Sequence, residues 1–153
     1  MKNLGNSNSH LMKFYEIHET VNSVYMVVEY FPGKELLRRI FKKKNISEKT
    51  IKAPMKSLLK AILYMHEKGI MHRDIKPENI VLKEKRKLKT LALIDFGLAT
   101  FVDQKEYIFY RCGTPGFIAP EIIRMKKDNL CSYTEKCDIF SAGVIFYILY
   151  HDY

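Results

Sequence analysis

The sequence predicts an α+β fold, on three observations: a pair of short strand-like runs near the N-terminus, a long helical stripe, and a late apolar helix. Phe14–Glu19 and Val24–Tyr30 are rich in aromatics and valine and are separated by Thr20–Ser23, which reads as an antiparallel hairpin. Pro32-Gly33 punctuates the chain, and residues 35–41 follow as a short helix with Leu36, Leu37 and Ile40 inward. Ser47 can cap a longer helix whose apolar positions are Ile51, Met55, Leu58, Leu59, Ile62 and Met65, a helical spacing. Pro54 sits beyond the first turn, so a kinked or shortened helix start is expected, and Gly69 ends the helix. Residues 70–82 are a polar segment bracketed by apolar residues, 88–94 an apolar strand after a basic turn, and 95–119 loop-like. Residues 137–150 return to a helical pattern.

Composition narrows the function classes. With 153 residues, 47% of them hydrophobic and 28% charged, the chain is long enough for one domain with a core, and global disorder is excluded. Cys112, Cys131 and Cys137 are odd in number and in no metal-ligand spacing, which reads as reduced thiols in the cytoplasm or nucleus. The polar N-terminus shows no secretory signal, and residues 139–150 are too few to span a bilayer, so no membrane role is expected. The net charge of +9 is scattered in clusters at 38–44, 83–89 and 124–127, without stacking aromatics along one element. Solvated basic faces are therefore expected, and no nucleic-acid partner.

The chemistry concentrates in His72-Arg73-Asp74-Ile75-Lys76-Pro77-Glu78-Asn79. A carboxylate to take a hydroxyl proton, an ammonium for phosphate charge and an amide oxygen for Mg²⁺ are brought together in one loop, which suits phosphoryl transfer. Asp95-Phe96-Gly97 adds a second acid at the end of an apolar strand. Either motif alone is weak, since a strand-end Asp before Gly is usually a turn. With Gly113-Thr114-Pro115-Gly116-Phe117-Ile118-Ala119-Pro120-Glu121 and Asp138-Ile139-Phe140-Ser141-Ala142-Gly143-Val144, the chain resembles the eukaryotic protein kinase family over essentially its whole length.

That resemblance implies a protein-kinase-like fold, with residues 1–33 from the small lobe and hinge and 34–153 from the mainly helical large lobe. It implies Asp74 as catalytic base, Lys76 on the transferring phosphate, and Asn79 and Asp95 as Mg²⁺ ligands, with ATP as phosphate donor. Val28 is the implied gatekeeper, the backbone of Glu29 and Phe31 the adenine contact, Glu35 the ribose contact, and Val81 the floor of the adenine pocket. A solvated helix carboxylate is the alternative for Glu35. His72 and Phe96 read as packing residues. Lys76 and the run from Gly113 to Glu121 resemble Ser/Thr kinases, with Thr114 hydrogen-bonding near Asp74 and protein Ser/Thr hydroxyls as substrates. The details look most like the calcium/calmodulin-dependent kinase group.

Two departures follow. In the family Arg73 pairs with a phosphorylated Ser or Thr of the activation loop, yet between Gly97 and Gly113 the only Ser or Thr is Thr100. Either Tyr110 or Tyr107 is phosphorylated, or Arg73 packs without a phosphate. The glycine-rich loop, the strand lysine and its helical glutamate partner are not in this sequence; residues 1–4 resemble the end of that helix. The later large-lobe helices and the arginine that pairs with Glu121 are likewise not in it. Three readings stand: a piece of a Ser/Thr kinase, a catalytically inactive truncated interaction module, or a chain completed by a flanking or separate polypeptide. Exposure of Ile145, Phe146 and Leu149 is expected, with poor folding and little activity of these residues alone.

Overall fold

The computed structural model describes residues 7–42, 47–85, 87–104, 107, 109–125 and 134–151. The end of the helix expected at residues 1–4 lies outside them. Strands β1 (Phe14–Glu19) and β2 (Val24–Val28) form an antiparallel hairpin with Phe14 opposite Val28. Its turn is closed by the Thr20 amide and hydroxyl, which both donate to the Ser23 carbonyl. Both faces carry exposed apolar side chains, among them Ile17, Tyr25 and Met26.

Helix α1 (Leu36–Ile40) follows, with Leu36 and Ile40 buried and Leu37 packed at the edge of the core. Helix α2 (Glu48–Glu67) starts at the cap the sequence predicts: the Thr50 amide donates to the Ser47 hydroxyl. Its buried face is Ile51, Met55, Leu58, Ile62 and Met65, whereas Leu59 points outward and is half exposed. The expected shortening at Pro54 does not occur. The helix runs unbroken through it, because the proline ring is buried and its contacts offset the lost backbone hydrogen bond. The helix ends at Glu67 with Lys68 as its C-cap, and the next residue, Gly69, has a φ of +68° that suits the left-handed position there.

Two short strand pairs then arrange the loops. Strand β3 (Ile70–Met71) pairs antiparallel with β6 (Thr100–Phe101), and β4 (Ile80–Leu82) pairs antiparallel with β5 (Leu91–Leu93). A single 3₁₀ turn, Pro77–Asn79, precedes β4. On the other edge of β5, the Leu93 amide donates to the His10 carbonyl and the Met12 amide to the Leu93 carbonyl. Leu11 is thereby fully buried. Helix α3 (Pro120–Ile123) leads toward α4 (Lys136–His151), which packs on α2.

That contact corrects one expectation. Ile145 and Leu149 are fully buried in the core formed with α2, and only Phe146 of the three is substantially exposed. Phe146 lines a groove of about 870 Å³ between α2 and α4, with Leu59, Leu63 and Tyr150. Among the described residues, no helix is long and apolar enough to cross a membrane.

The hinge between β2 and α1 lies against β4. The Leu82 amide donates to the Lys34 carbonyl at 3.1 Å, and Glu35 forms an isolated antiparallel bridge with Val81. Gly33 permits this approach, because a Cβ there would collide with the Leu82 carbonyl, a backbone atom with no room to move. Gly33→Ala should therefore destabilise the fold by about 1–3 kcal/mol, read as a lowered midpoint in urea. An unchanged midpoint would show that the hinge and β4 are not so closely apposed.

Candidate active site

The loop after β3 is held in place from below. Asp138, in the first turn of α4, is fully buried, and its carboxylate accepts from the backbone amides of His72 (2.8 Å) and Arg73 (2.9 Å). His66 of α2 approaches the same carboxylate with Nε2 at 3.0 Å from Oδ2. Arg73 takes a φ of +67°, a conformation that side chains rarely adopt, so the loop needs such anchors. The role of Asp138 was not read from the sequence. Its signal was a carboxylate on the buried face of an otherwise apolar helix.

His72 ties the loop to the segment beyond β5. Its ring is fully buried, lies 5.1 Å from the Phe96 ring, and donates from Nε2 to the Ile94 carbonyl. Its Nδ1 accepts from the Asp74 amide at 3.3 Å. One nitrogen donates and the other accepts, which is the bonding pattern of a neutral imidazole. Burial accordingly holds its pKa below the usual histidine value, although Asp138, Asp74 and Asp95 pull the other way.

Four predicted residues converge on one point. The Thr114 hydroxyl donates to Asp74 Oδ1 at 2.7 Å, and Lys76 Nζ donates to Thr114 Oγ1 at 2.9 Å. Lys76 Nζ is also 3.0 Å from Asp74 Oδ2. Asn79 Nδ2 donates to the Asp74 carbonyl at 2.9 Å and reaches Oδ2 at 3.3 Å. The activation segment can deliver Thr114 here because Gly113, at φ +116°, passes close to the Arg73 carbonyl. A Cβ on Gly113 would sit 2.9 Å from that oxygen. Farther along, Ser141 of α4 donates to the Phe117 carbonyl and fastens the same segment to the core.

Burial would raise the Asp74 pKa, but the Thr114 hydroxyl and the Lys76 ammonium outweigh it and hold the carboxyl below its ordinary value. Both shifts bear on stability. The folded chain holds His72 neutral, so unfolding takes up a proton as pH falls below about 6.5. Asp74 adds a second loss at lower pH: its stabilisation is complete above about pH 4 and disappears as pH falls through its lowered folded pKa. The melting temperature should fall in these two stages on acidification, and His72→Gln should remove the first. A melting temperature that is flat from pH 7.5 to 5.5 would contradict this account.

Asp95 is exposed, with a φ of +60°, and its Oδ1 accepts from the Gly97 amide at 3.2 Å. It lines a cavity of about 190 Å³ with Met12, Phe14, Met26, Val28, Phe96 and Gly97, so the implied gatekeeper and the second acid share one space. Asp95 is not hydrogen-bonded into the Asp74 cluster. On the hinge side, Glu29 and Phe31 are half-buried, and the Glu29 amide donates to the Lys13 carbonyl.

Arg73 turns away from the cluster. Its Nε donates to the Leu98 carbonyl (2.6 Å), Nη1 donates to the Phe109 carbonyl (2.9 Å), and the guanidinium lies 5.2 Å from the Tyr107 ring centroid. Tyr110 is on the surface.

A carboxylate, an ammonium and an amide are thus gathered under a glycine-bounded threonine, with a second acid, Asp95, two residues beyond the end of β5. The match to the protein kinase domain family covers residues 1–153, and the chain belongs to that family. It is 39% identical over 143 residues to the calcium/calmodulin-dependent protein kinase type IV of Mus musculus, which covers 94% of this chain and 29% of that protein. It is 43% identical over 141 residues to calcium-dependent protein kinase 6 of Plasmodium berghei, covering 92% of this chain and 9% of the relative. A protein named as a probable myosin light chain kinase of Dictyostelium discoideum is 40% identical over 139 residues, 91% of this chain and 44% of its own length. The chain thus spans less than half the length of these relatives.

Proposed function

We propose that this chain carries the catalytic centre of a Ser/Thr protein kinase, which moves the γ-phosphate of ATP to protein Ser or Thr hydroxyls. The observation that carries the reading is the network joining Asp74, Thr114, Lys76 and Asn79 at 2.7–3.3 Å. Asp74 orients the substrate hydroxyl and takes its proton as the new oxygen–phosphorus bond forms, while the bond from phosphorus to the ADP oxygen breaks and ADP keeps the electron pair. Lys76 holds charge beside the transferring phosphate, and Thr114 fixes the carboxylate between the two. The likeness to calcium/calmodulin-dependent and calcium-dependent kinases supports Ser/Thr rather than Tyr as acceptor, with cytoplasmic or nuclear proteins as substrates.

Asn79 and Asp95 suit Mg²⁺. The Asn79 amide nitrogen is engaged with Asp74, which leaves Oδ1 as its ligating atom, and Asp95 offers an exposed carboxylate. One or two such hard oxygens together with phosphate oxygens are what this ion takes. When bound, Mg²⁺ neutralises phosphate charge. The adenine side is formed by the Glu29 and Phe31 backbone and by Val81, with Glu35 at the ribose.

Calorimetric titration tests the reading. The full-length protein should bind ATP in a Mg²⁺-dependent way, and Asp95→Asn should weaken that binding at least about tenfold while adenosine binding stays the same. Mg²⁺-independent binding, or none, would overturn it.

A further inference from the structure

The basic run at residues 83–89 reads as a solvated turn, yet its first residue does not point to solvent. Lys83 Nζ lies 3.0 Å from Oε1 and 2.9 Å from Oε2 of Glu29, and the two side chains are about four-fifths buried. Glu29 Oε2 also accepts from the Lys13 amide at 3.3 Å. The same ammonium sits 5.2 Å from the centroid of the Phe31 ring. One cation therefore grips both hinge residues whose backbone is assigned to adenine, from the two sides of Tyr30.

The hinge needs such a grip. Strand β2 ends at Val28, and beyond Glu29 the chain has left the hairpin ladder. Lys83, in contrast, is well anchored, because its amide donates to the Thr90 carbonyl at 2.7 Å and so extends the β4–β5 ladder. Side chains two apart on a strand share a face. Val81 and Lys83 are therefore presented on the same side of one rigid strand, the first as floor of the adenine slot and the second as the bracket on its hinge wall.

We infer that Lys83 is a positioning residue for the nucleotide: through Glu29 and Phe31 it sets the gap between the hinge backbone and Val81 into which adenine fits. This rests on the proposed kinase reading and extends it to a residue outside the motifs. Because the effect is on the base and not the phosphates, it acts equally on ATP and on adenosine.

The test is calorimetry on the full-length protein with Mg²⁺-ATP and, separately, adenosine. Lys83→Met keeps the apolar stem and removes the charge. It should weaken both ligands by the same factor, about fivefold for a partly exposed charge-assisted pair. Lys83→Arg should restore both to within about twofold of the unsubstituted protein. Glu29→Gln, which leaves the hinge packing intact, carries the same expectation should Lys83→Met fail to fold. Unchanged affinities in Lys83→Met, a loss confined to ATP, or Lys83→Arg as weak as Lys83→Met would each overturn the inference while the kinase reading stands. No nucleotide binding by the unsubstituted protein would overturn that reading, and the inference with it.

Discussion

Asp138→Ala should destabilise the protein by roughly 2–6 kcal/mol, the largest effect expected of any single substitution here. The carboxylate is fully buried and receives two backbone amides, from His72 and Arg73, as well as His66 Nε2. Truncation leaves two buried N–H donors without an acceptor, each a loss of about 1–3 kcal/mol. It also releases Arg73 from a backbone conformation that it would not hold unaided. Whole domains are stable by only about 5–15 kcal/mol, so a large fraction of that would go. Urea unfolding measures the loss, and hydrogen exchange at the His72 and Arg73 amides locates it. An unchanged midpoint with those two amides still protected would show that Asp138 does not anchor the loop.

Asp74→Asn should lower stability only as far as protonation of Asp74 does and leave Mg²⁺-ATP affinity nearly intact, while lowering kcat by about 10²–10⁴-fold. The amide is the same shape, and its oxygen can still accept from Thr114 or Lys76, which now bind the carboxylate at 2.7 and 3.0 Å. It cannot take the hydroxyl proton. Parallel measurement of kcat and of ATP affinity separates the two roles. Equal losses in both would mean that Asp74 acts through nucleotide binding and not on the acceptor hydroxyl.

Local signals carried much of this fold. The Ser47 cap, the stripe from Ile51 to Met65 and the turn between β1 and β2 depend on neighbours within a few residues, and the sequence shows them directly. The shortening expected at Pro54 is not seen, because helix rules price the lost hydrogen bond but not the burial of the ring. Ile145 and Leu149 misled for a related reason: α2 supplies their cover, and a contact between helices so far apart in sequence leaves no local trace. The cluster around Asp74 was legible because Lys76 and Asn79 lie within one loop. Thr114 needed the family resemblance to join them. Asp138 and Lys83 were the hardest to read. Each works through a partner on a distant segment, one as a carboxylate in an apolar helix and the other as one lysine in a basic run.

The most direct test of the central claim is transfer of labelled phosphate from Mg²⁺-[γ-³²P]ATP to a mixed peptide library by the full-length protein that contains this chain, with phosphoamino-acid analysis of the products. Label on serine and threonine that disappears with Asp74→Asn is the predicted result. Label on tyrosine, or no Asp74-dependent transfer by folded protein that binds Mg²⁺-ATP, would contradict the assignment of this site to a Ser/Thr protein kinase.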